Sequence, residues 1–419
     1  MEKASIVADS EARRVFKNSL YLLFIHLGNY IIPLIVIFYL VKILGAESFG
    51  VYAICTAIAA YVQVAIDYGF ALTGCRAVAQ NREDKTYVSN VFWEILYSKI
   101  LIASLALLIC FMCFNLLELD LKLYLSAVFS AIFTSLTPFW FFQGLESFRG
   151  VSFLSVTGKA FSCIPVLAFV ESGDDLYIVF YSQATFSLLV MLAIYLYIYR
   201  KEFVLRVPLL SLEIKKRLLE GWHIFSATLS SVIVTNGGTL WLGAFFPSSV
   251  VGVYASVERL VKAVTSIFVP LGQAIYPINS RAFAEGISNG LRSAIRTGIF
   301  FGIIGVAAAI AFLASYSLFR NYFGYPPESH IYFLLFAFWI IIGVVNNILG
   351  AQILTAGGHS HVYAKCFHAA AIVFIFSAYF LIGAYAGKGA VYSLLIAEVS
   401  LSALLLTSVI FIFREAKLK

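Results

Sequence analysis

Residues 91–114 have the sequence VFWEILYSKILIASLALLICFMCF, and this stretch decides which kind of fold the chain can adopt. The run is long enough to cross a bilayer as a helix, which takes about 20 predominantly apolar residues. It nevertheless contains Lys99, and a lysine at the centre of a membrane helix costs about 2.5–3.5 kcal/mol. The stretch therefore predicts a membrane span that carries a basic side chain some way into the hydrocarbon layer.

Similar apolar runs recur along the whole chain. Its 419 residues are 61% hydrophobic and 12% charged, whereas a soluble domain is usually about 25% charged. Twelve spans are predicted from the apolar runs in the sequence, at residues 18–41, 49–71, 91–114, 122–143, 152–170, 176–199, 221–245, 250–275, 294–317, 330–355, 362–385 and 390–413. The sequence thus predicts an all-α polytopic membrane protein.

The distribution of Lys and Arg predicts how these spans are oriented. With a cytoplasmic N-terminus, and with the span-edge residues Lys122 and Arg296 counted in the adjoining segments, 20 of the 29 Lys and Arg fall in cytoplasmic segments, 4 outside and 5 within spans. Since cytoplasmic loops carry the excess of these residues, we expect both termini in the cytoplasm. The net charge of +7 then reflects topology and gives no support to nucleic-acid binding. The polar N-terminal segment lacks the pattern of a removable signal peptide.

A polar segment divides the spans into two groups of six. We predict an N-terminal lobe at 1–199, a cytoplasmic connecting segment at 200–220 and a C-terminal lobe at 221–419. The halves also resemble each other: Gly50-Val51-Tyr52-Ala53 opens the second span and Gly252-Val253-Tyr254-Ala255 opens the eighth, 202 positions later. Because six spans return the chain to the same side, the halves are expected to be parallel pseudo-repeats around a central cavity.

Five basic residues lie within the predicted spans: Lys99, Lys159, Arg259, Lys262 and Lys365. Together they would cost about 12–18 kcal/mol, comparable to the net stability of a whole domain. We expect relief in a polar cavity between helices, where a positive charge favours a negatively charged cargo. Four are the candidate cavity cations: Lys99, Lys159, Arg259 and Lys262. Snorkelling to the surface is the alternative for Lys99 and Lys159, and it is the favoured interpretation of Lys365.

Acidic residues accompany these cations. Glu258 and Lys262 are four positions apart, so they lie on one helical face and can pair. Asp67, Glu258 and Glu398 are candidates for ion or proton coupling, because a buried carboxylate can carry a proton. The alternative for each is half of a structural ion pair. Downstream in the same span, Pro270 predicts a kink.

The sequence gives no sign of catalytic or cofactor chemistry. It contains no phosphate-binding loop, metal-ligand cluster or nucleophile with a nearby base. Cys110 and Cys113 have the spacing of a redox or zinc pair but lie among apolar residues, so we interpret them as packing residues. The longest outside loop, around residues 318–329, is about a dozen residues long. We therefore expect a transporter without metal or cofactor, and not an enzyme.

Several motifs, in this order, resemble the Wzx-type O-antigen flippases, which belong to the polysaccharide exporters of the multidrug/oligosaccharidyl-lipid/polysaccharide superfamily. They are Gly28-Asn29-Tyr30-Ile31-Ile32-Pro33, the run from Leu40 to Gly50, Asp67-Tyr68-Gly69-Phe70, Pro138-Phe139-Trp140-Phe141-Phe142-Gln143-Gly144, Gly221-Trp222-His223-Ile224-Phe225 and Gln273-Ala274-Ile275-Tyr276-Pro277. The resemblance covers about the first 280 residues, and beyond them it rests on topology and Glu398.

The resemblance implies twelve helices in two six-helix lobes that open alternately to either side of a bacterial inner membrane. It implies, as substrate, an undecaprenyl-pyrophosphate-linked O-antigen repeat unit, moved to the periplasmic leaflet for lipopolysaccharide biosynthesis. It also implies basic residues in the central cavity, and Lys159 and Arg259 fall where relatives carry them. Candidate protein partners are an O-antigen polymerase and a chain-length regulator.

Three other functions stay open at this point. A flippase for a capsule or another lipid-linked glycan would have the same features. A cation-coupled drug efflux pump would share the fold but would favour an acidic cavity, whereas these spans hold five basic and four acidic residues. A membrane O-antigen polymerase would be expected to carry a large periplasmic loop.

Overall fold

The structure, a computed structural model, is built of helices. It describes residues 2–114, 119–147, 149–205, 213–323 and 329–418, and no strand occurs among them. Side chains are described from residue 35 onwards, except at 149, 152, 274, 322–323 and 414–418. Several predicted features therefore lie outside the described side chains, including the motif at 28–33, residues 206–212 of the connecting segment and residues 322–328 of the longest outside loop.

Fourteen α-helices occur in the described parts of the chain. They are α1 Glu2–Asp67, α2 Phe70–Gln80, α3 Lys85–Cys113, α4 Leu121–Leu136, α5 Phe139–Gly144, α6 Arg149–Phe169, α7 Leu176–Arg200, α8 Ile214–Phe245, α9 Ser248–Thr265, α10 Phe268–Glu285, α11 Ile287–Ala314, α12 Tyr316–Phe323, α13 His330–Asn347 and α14 Ser360–Leu418. A 3₁₀ turn, Gly173–Asp175, precedes α7, and a π-helix, Ile348–Thr355, continues α13.

Two of these helices each contain two membrane spans. α1 has 66 residues and α14 has 59, so at 1.5 Å per residue both far exceed the roughly 30 Å hydrocarbon layer. Each is broken once, α1 at Gly45 (φ 68°) and α14 at Ala386 (φ 47°). Left-handed backbone of this kind cannot continue an α-helix, so the chain changes direction at both residues.

The helices confirm the predicted fold class. Eight helices among the described residues are long and apolar enough to cross a membrane, and the bent pair Ser248–Gln273 and Ile275–Glu285 makes a ninth. A shorter apolar helix, Phe153–Phe169, lies within α6. With α1 and α14 each divided at their breaks, the fold is the expected all-α one, with about twelve spans in two six-helix lobes.

The chain packs as two compact units. The first comprises residues up to Tyr39 and Ile58–Phe225; the second comprises Leu40–Ala57 and the chain from Ser226 onwards. The lobe boundaries at 199 and 221 stay a prediction. In the first unit, α5 supplies Trp140, Phe141 and Phe142 to a buried core that also takes in residues of α2, α3 and α7. The PFWFFQG motif is thus a packing element of this unit.

The repeated tetrapeptides meet within the second unit. A Cβ on Gly50 would overlap the carbonyl oxygen of Ser248, and a Cβ on Gly252 would overlap that of Ala46. Ala46 and Ser248 are themselves 202 positions apart, so the two contacts are equivalent under the repeat. Small residues four apart on both helices let two membrane helices approach closely. The duplication seen in the sequence therefore specifies the crossing of α1 and α9.

The span that contains the α9 charges is broken twice. The first interruption, between α9 and α10, lies at Ser266–Ile267, four residues before Pro270, which cannot donate to the Ser266 carbonyl. The second is a bend of 42° between Ser248–Gln273 and Ile275–Glu285, three residues before Pro277. Ser266 and Ile267 keep right-handed helical backbone angles, so the kink predicted from Pro270 stays a prediction. The bend before Pro277 was not predicted.

Candidate functional site: charged residues within the membrane helices

Three charged residues of α9 form the centre of the candidate site. Glu258 is 3% exposed, and the Lys262 Nζ lies 3.3 Å from its Oε1 atom. The pairing predicted from their spacing is therefore present. Arg259 belongs to the same turn but takes no part in this ion pair. We call Glu258, Arg259 and Lys262 the α9 charge cluster.

Neutral groups complete the surroundings of the Glu258–Lys262 pair. Tyr254 and Thr239 donate hydroxyl hydrogen bonds of 3.0 Å to the two carboxylate oxygens of Glu258. The Lys262 ammonium also donates to the Thr235 carbonyl at 2.8 Å and to the Asn236 side-chain oxygen at 3.1 Å. These bonds, together with the ion pair, mean that the charge of the partly exposed Lys262 is already compensated.

Arg259 is held differently, on residues of α1. Its guanidinium lies over the Tyr52 ring, 5.5 Å from the centroid, and its Nη2 donates to the Thr56 hydroxyl. Thr56 and Tyr52 are one helical turn apart, and the Thr56 hydroxyl is anchored on the Tyr52 and Ala53 carbonyls, both at 2.9 Å. No carboxylate lies within salt-bridge distance of Arg259 among the residues that the structure describes. Arg259 is therefore the uncompensated charge of the cluster.

In the first unit, Lys99 is paired as well. It is 3% exposed, and its ammonium donates to the Asp67 Oδ1 at 2.8 Å and to the Ser135 carbonyl at 2.7 Å. The Asp67 side chain is 46% exposed, so one partner is buried and the other meets solvent. The structure thus pairs Lys99, which was predicted as a cavity cation, with Asp67, which was predicted as a coupling acid.

Lys159 and Lys365 are both exposed. Lys159 lies in the middle of α6, in the first unit, and its backbone carbonyl accepts bonds from Ser162 (2.8 Å) and Cys163 (3.2 Å). Lys365 lies in the second turn of α14, which fits the predicted snorkelling.

Glu398, on α14, has neutral partners. Its carboxylate oxygens accept bonds from the Trp339 Nε1 at 3.1 Å and the Asn346 Nδ2 at 2.6 Å. Asn346 is itself fixed by the Ser402 hydroxyl, which donates to its Oδ1 at 2.6 Å. Within the described part of the chain, no basic group lies within salt-bridge distance of Glu398. Of the three candidate coupling acids it is thus the one without a cationic partner.

Sequence reasoning missed a buried ion pair of the first unit. The Arg217 Nε donates to the Glu94 Oε2 at 2.6 Å, and both side chains are almost fully buried. Arg217 also bonds Glu220 at 3.0 Å and lies 5.9 Å from the Tyr87 ring centroid. In the sequence, Arg217 is the last residue of the basic run Lys215-Lys216-Arg217 in the predicted connecting segment. The signal that could have found the pair was Glu94, an acid within a span and therefore in need of a partner.

Further bonds fix the connecting segment on α3. The Trp93 indole donates to the Leu205 carbonyl at 2.8 Å, and the Leu205 amide donates to the Ser89 hydroxyl at 2.8 Å. The Glu213 amide donates to the Glu94 Oε1 at 3.0 Å. On the solvent side, a hydrogen bond from Lys216 holds the pKa of the Glu213 carboxyl below its usual value. Both described ends of this segment are therefore attached to the first unit.

The cysteines form no disulfide. All six are free thiols, and Cys110 is buried within α3. Among the described residues, no group of three or more His, Cys, Asp or Glu is arranged to hold a metal ion.

Comparison with known proteins adds the family. A family model described as "Polysaccharide biosynthesis protein" matches residues 15–283. The chain belongs to this family. The matched region runs from α1 into α10 and includes Asp67, Lys99, Lys159 and the α9 charge cluster. Glu398 lies beyond it.

Two curated relatives of this polysaccharide biosynthesis protein match over nearly their whole length. Both bear the name "Putative O-antigen transporter". The protein from Escherichia coli (strain K12) is 24% identical over 398 residues, covering 93% of this chain and 95% of the relative. The protein from Shigella dysenteriae is 26% identical over 400 residues, covering 94% and 99%.

Solved structures show the fold of this family member. The lipid II flippase MurJ, in an inward closed conformation, aligns with a TM-score of 0.71 at 13% identity, covering 94% of this chain and 87% of that one. A multidrug resistance MATE family transporter of the MOP superfamily, in an inward-facing conformation, aligns with a TM-score of 0.69 at 13% identity, covering 96% of each chain. At this identity the likeness concerns the fold alone.

Proposed function

We propose that this protein is a flippase that moves undecaprenyl-pyrophosphate-linked O-antigen repeat units from the cytoplasmic to the periplasmic leaflet of a bacterial inner membrane. The two six-helix lobes would open alternately to the cytoplasmic and to the periplasmic side. Both termini would be cytoplasmic, and an O-antigen polymerase and a chain-length regulator are candidate partners. The names of the two full-length relatives support an O-antigen unit as cargo.

The observation that carries the proposal is the uncompensated charge of Arg259 within a membrane helix. Glu258 takes Lys262, which leaves the guanidinium without a carboxylate among the described residues. Arg259 is nevertheless held in place by Tyr52 and Thr56. A fixed, unpaired guanidinium is suited to a phosphate, because its planar set of donors matches two phosphate oxygens at once.

The pyrophosphate is the part of the cargo that such a cation would recognise. Its charges and the attached sugars cannot cross hydrocarbon alone, whereas a polyprenyl chain can remain in lipid. Arg259 would bind the pyrophosphate in the second unit, and the exposed Lys159 is the corresponding candidate in the first. Outward movement of negative charge is favoured by about 2.3 kcal/mol per charge for each 100 mV of membrane potential.

Lys99 and Lys262 would act through their carboxylate partners. Each is paired in this structure, with Asp67 and with Glu258. Protonation of the acid would leave the lysine without its counter-charge and free to bind a phosphate. In the pairs Lys99–Asp67 and Lys262–Glu258, one partner would then bind the cargo and the other would couple transport to protons. Glu398 is a separate coupling candidate, since its carboxylate accepts hydrogen bonds from the neutral side chains of Trp339 and Asn346.

The test is complementation of a deletion strain. Deleting the gene in its host should abolish the long-chain ladder of surface lipopolysaccharide and trap lipid-linked single units on the cytoplasmic leaflet. A plasmid with the wild-type gene or with Lys365→Ala should restore the ladder, whereas Arg259→Ala should not, at equal membrane abundance. An intact ladder in the deletion strain would overturn the proposal. Altered drug tolerance would then indicate an efflux pump, and loss of a capsule would indicate another glycan.

A further inference from the structure

A cavity of about 810 Å³ lies in the first unit, where α3, the end of α7 and the start of the connecting segment meet. Its lining includes Trp93, Tyr97, Tyr195, Tyr199, Arg200 and Glu202. The volume lies within the range of pockets that bind small molecules. None of these residues belongs to the charge clusters described above.

The walls of the cavity are aromatic faces. The polar atoms of two rings are already used, since the Trp93 indole donates to the Leu205 carbonyl and the Tyr195 hydroxyl donates to the Leu136 carbonyl, both at 2.8 Å. Trp93 and Tyr97 are stacked with their centroids 5.7 Å apart, and Tyr199 is 70% exposed. The Trp93, Tyr97 and Tyr195 rings, held by these contacts, and the exposed Tyr199 ring offer apolar, electron-rich faces to the cavity.

Glu202 reaches this cavity through an unusual helix end. The Phe203 amide bonds the Ile198 carbonyl at 3.2 Å, and Glu202 has φ 49°. This is a Schellman ending, in which the left-handed position is usually glycine. Phe203 then packs against Phe142, with ring centroids 5.8 Å apart. A non-glycine residue at such a position is strained, and strain of this kind concentrates at functional sites.

The described start of the connecting segment, residues 200–205, forms a wall of the cavity. Glu202 belongs to it, and the bonds of Leu205 to Trp93 and Ser89 hold the next residues in place. Further along, the buried Arg217–Glu94 pair attaches the segment to α3. The cavity is therefore preformed in the first unit, which lowers the ordering cost of binding a ligand.

We propose that this cavity binds the uncharged sugar residues of the glycan, an inference that rests on the proposed function. The charged lining residues are one cation, Arg200, and one anion, Glu202, so the cavity has no net charge. That balance favours a neutral ligand with many hydroxyl groups over an anionic lipid. Sugar rings offer C–H faces to aromatic walls and hydroxyl edges to Arg200 and Glu202.

Binding by the purified protein tests this assignment. The probe is the lipid-free repeat unit, released by mild acid from the lipid-linked single units that accumulate in the deletion strain. Tyr199→Ala should weaken its binding at least tenfold, measured by calorimetry. The control is Tyr177→Ala, which removes another exposed ring from the opposite end of α7 and should leave the affinity unchanged.

Glu202→Gly keeps the test informative if removal of a ring disturbs folding. Glycine suits the left-handed position, so this variant should have an unchanged or higher Tm and still bind the glycan more weakly. Full affinity in both Tyr199→Ala and Glu202→Gly would overturn the assignment. The same holds if Tyr199→Ala loses co-purified phospholipid while glycan binding stays intact, because the rings would then be membrane anchors.

Complementation separates this inference from the proposed function. If the deletion strain keeps its lipopolysaccharide ladder, the proposed function fails. If the deletion abolishes the ladder and Glu202→Gly restores it fully at limiting expression, the cavity has no role in transport and only the inference fails. The expected result is a ladder that is lost on deletion and restored several-fold less well by Glu202→Gly than by wild type.

Discussion

The Lys99 ammonium lies 2.8 Å from the Asp67 carboxylate, and this bond joins a buried cation of α3 to a half-exposed acid at the end of α1. A lysine that is 3% exposed depends on that counter-charge. The pair therefore sets both the stability of the first unit and the availability of the lysine to an anionic cargo.

Asp67→Asn should destabilise the protein by about 2 kcal/mol, because it leaves the buried ammonium without its charged partner. The double variant Asp67→Asn, Lys99→Met should recover most of that loss, since removing both members of a buried pair is often nearly neutral. Thermal unfolding in detergent measures both effects. If the double variant is stable but inactive, Lys99 contributes to transport itself; equal stability of the single variant and wild type would contradict the pairing.

The Glu94–Arg217 pair should be more costly to break. Both side chains are almost fully buried, so Arg217→Met would leave an uncompensated carboxylate and lower the free energy of unfolding by about 3–5 kcal/mol. Lys216→Met removes the neighbouring exposed cation and should change stability by less than about 1 kcal/mol. Similar unfolding temperatures for these two variants would show that the connecting segment is not attached in this way.

The close crossing of α1 and α9 predicts intolerance to a single methyl group. Gly50→Ala and Gly252→Ala should each destabilise the protein by about 1–3 kcal/mol, because the added Cβ overlaps a backbone carbonyl of the other helix. Gly302→Ala is the control: a Cβ on this helical glycine would meet no neighbouring side chain or helix within 4 Å, so alanine should be neutral or stabilise by about 0.5–1 kcal/mol. Equal tolerance at all three positions would contradict the crossing.

Tyr52 should influence transport through Arg259. Its ring supports the guanidinium at 5.5 Å, an interaction worth about 0.5–2 kcal/mol. Tyr52→Leu should therefore slow flipping by about 2- to 30-fold, whereas Tyr52→Phe, which keeps the ring, should stay close to wild type. Rates are compared at equal amounts of folded protein, and a Tyr52→Phe variant as slow as Tyr52→Leu would assign the effect to the hydroxyl.

Local sequence patterns predicted the structural features that depend on residues close together in the chain or on the internal repeat. Apolar runs gave the helices, the repeated tetrapeptides indicated the duplication that meets at Gly50 and Gly252, and spacing predicted the Glu258–Lys262 pair. These features follow from helical periodicity, from composition and from the repeat.

Such patterns could not predict contacts between residues that are far apart in the sequence. Lys99 and Asp67 are 32 positions apart and Glu94 and Arg217 are 123 apart, so their pairing depends on how whole helices pack. The Arg259–Tyr52 contact likewise depends on the crossing of α1 and α9. The left-handed backbone of Glu202 could not be predicted from the sequence, because it arises from the way in which α7 ends.

The most direct measurement of the central claim is flipping in proteoliposomes. The lipid-linked repeat unit, extracted from the deletion strain, is reconstituted with purified protein, and the units in the outer leaflet are oxidised with periodate, which does not cross the membrane. Wild-type protein should make all of the units accessible over time. Arg259→Ala should leave about half protected, as in protein-free vesicles. Equal accessibility with Arg259→Ala and wild type would contradict the assignment of Arg259 to the cargo, and protection with wild type would contradict flipping itself.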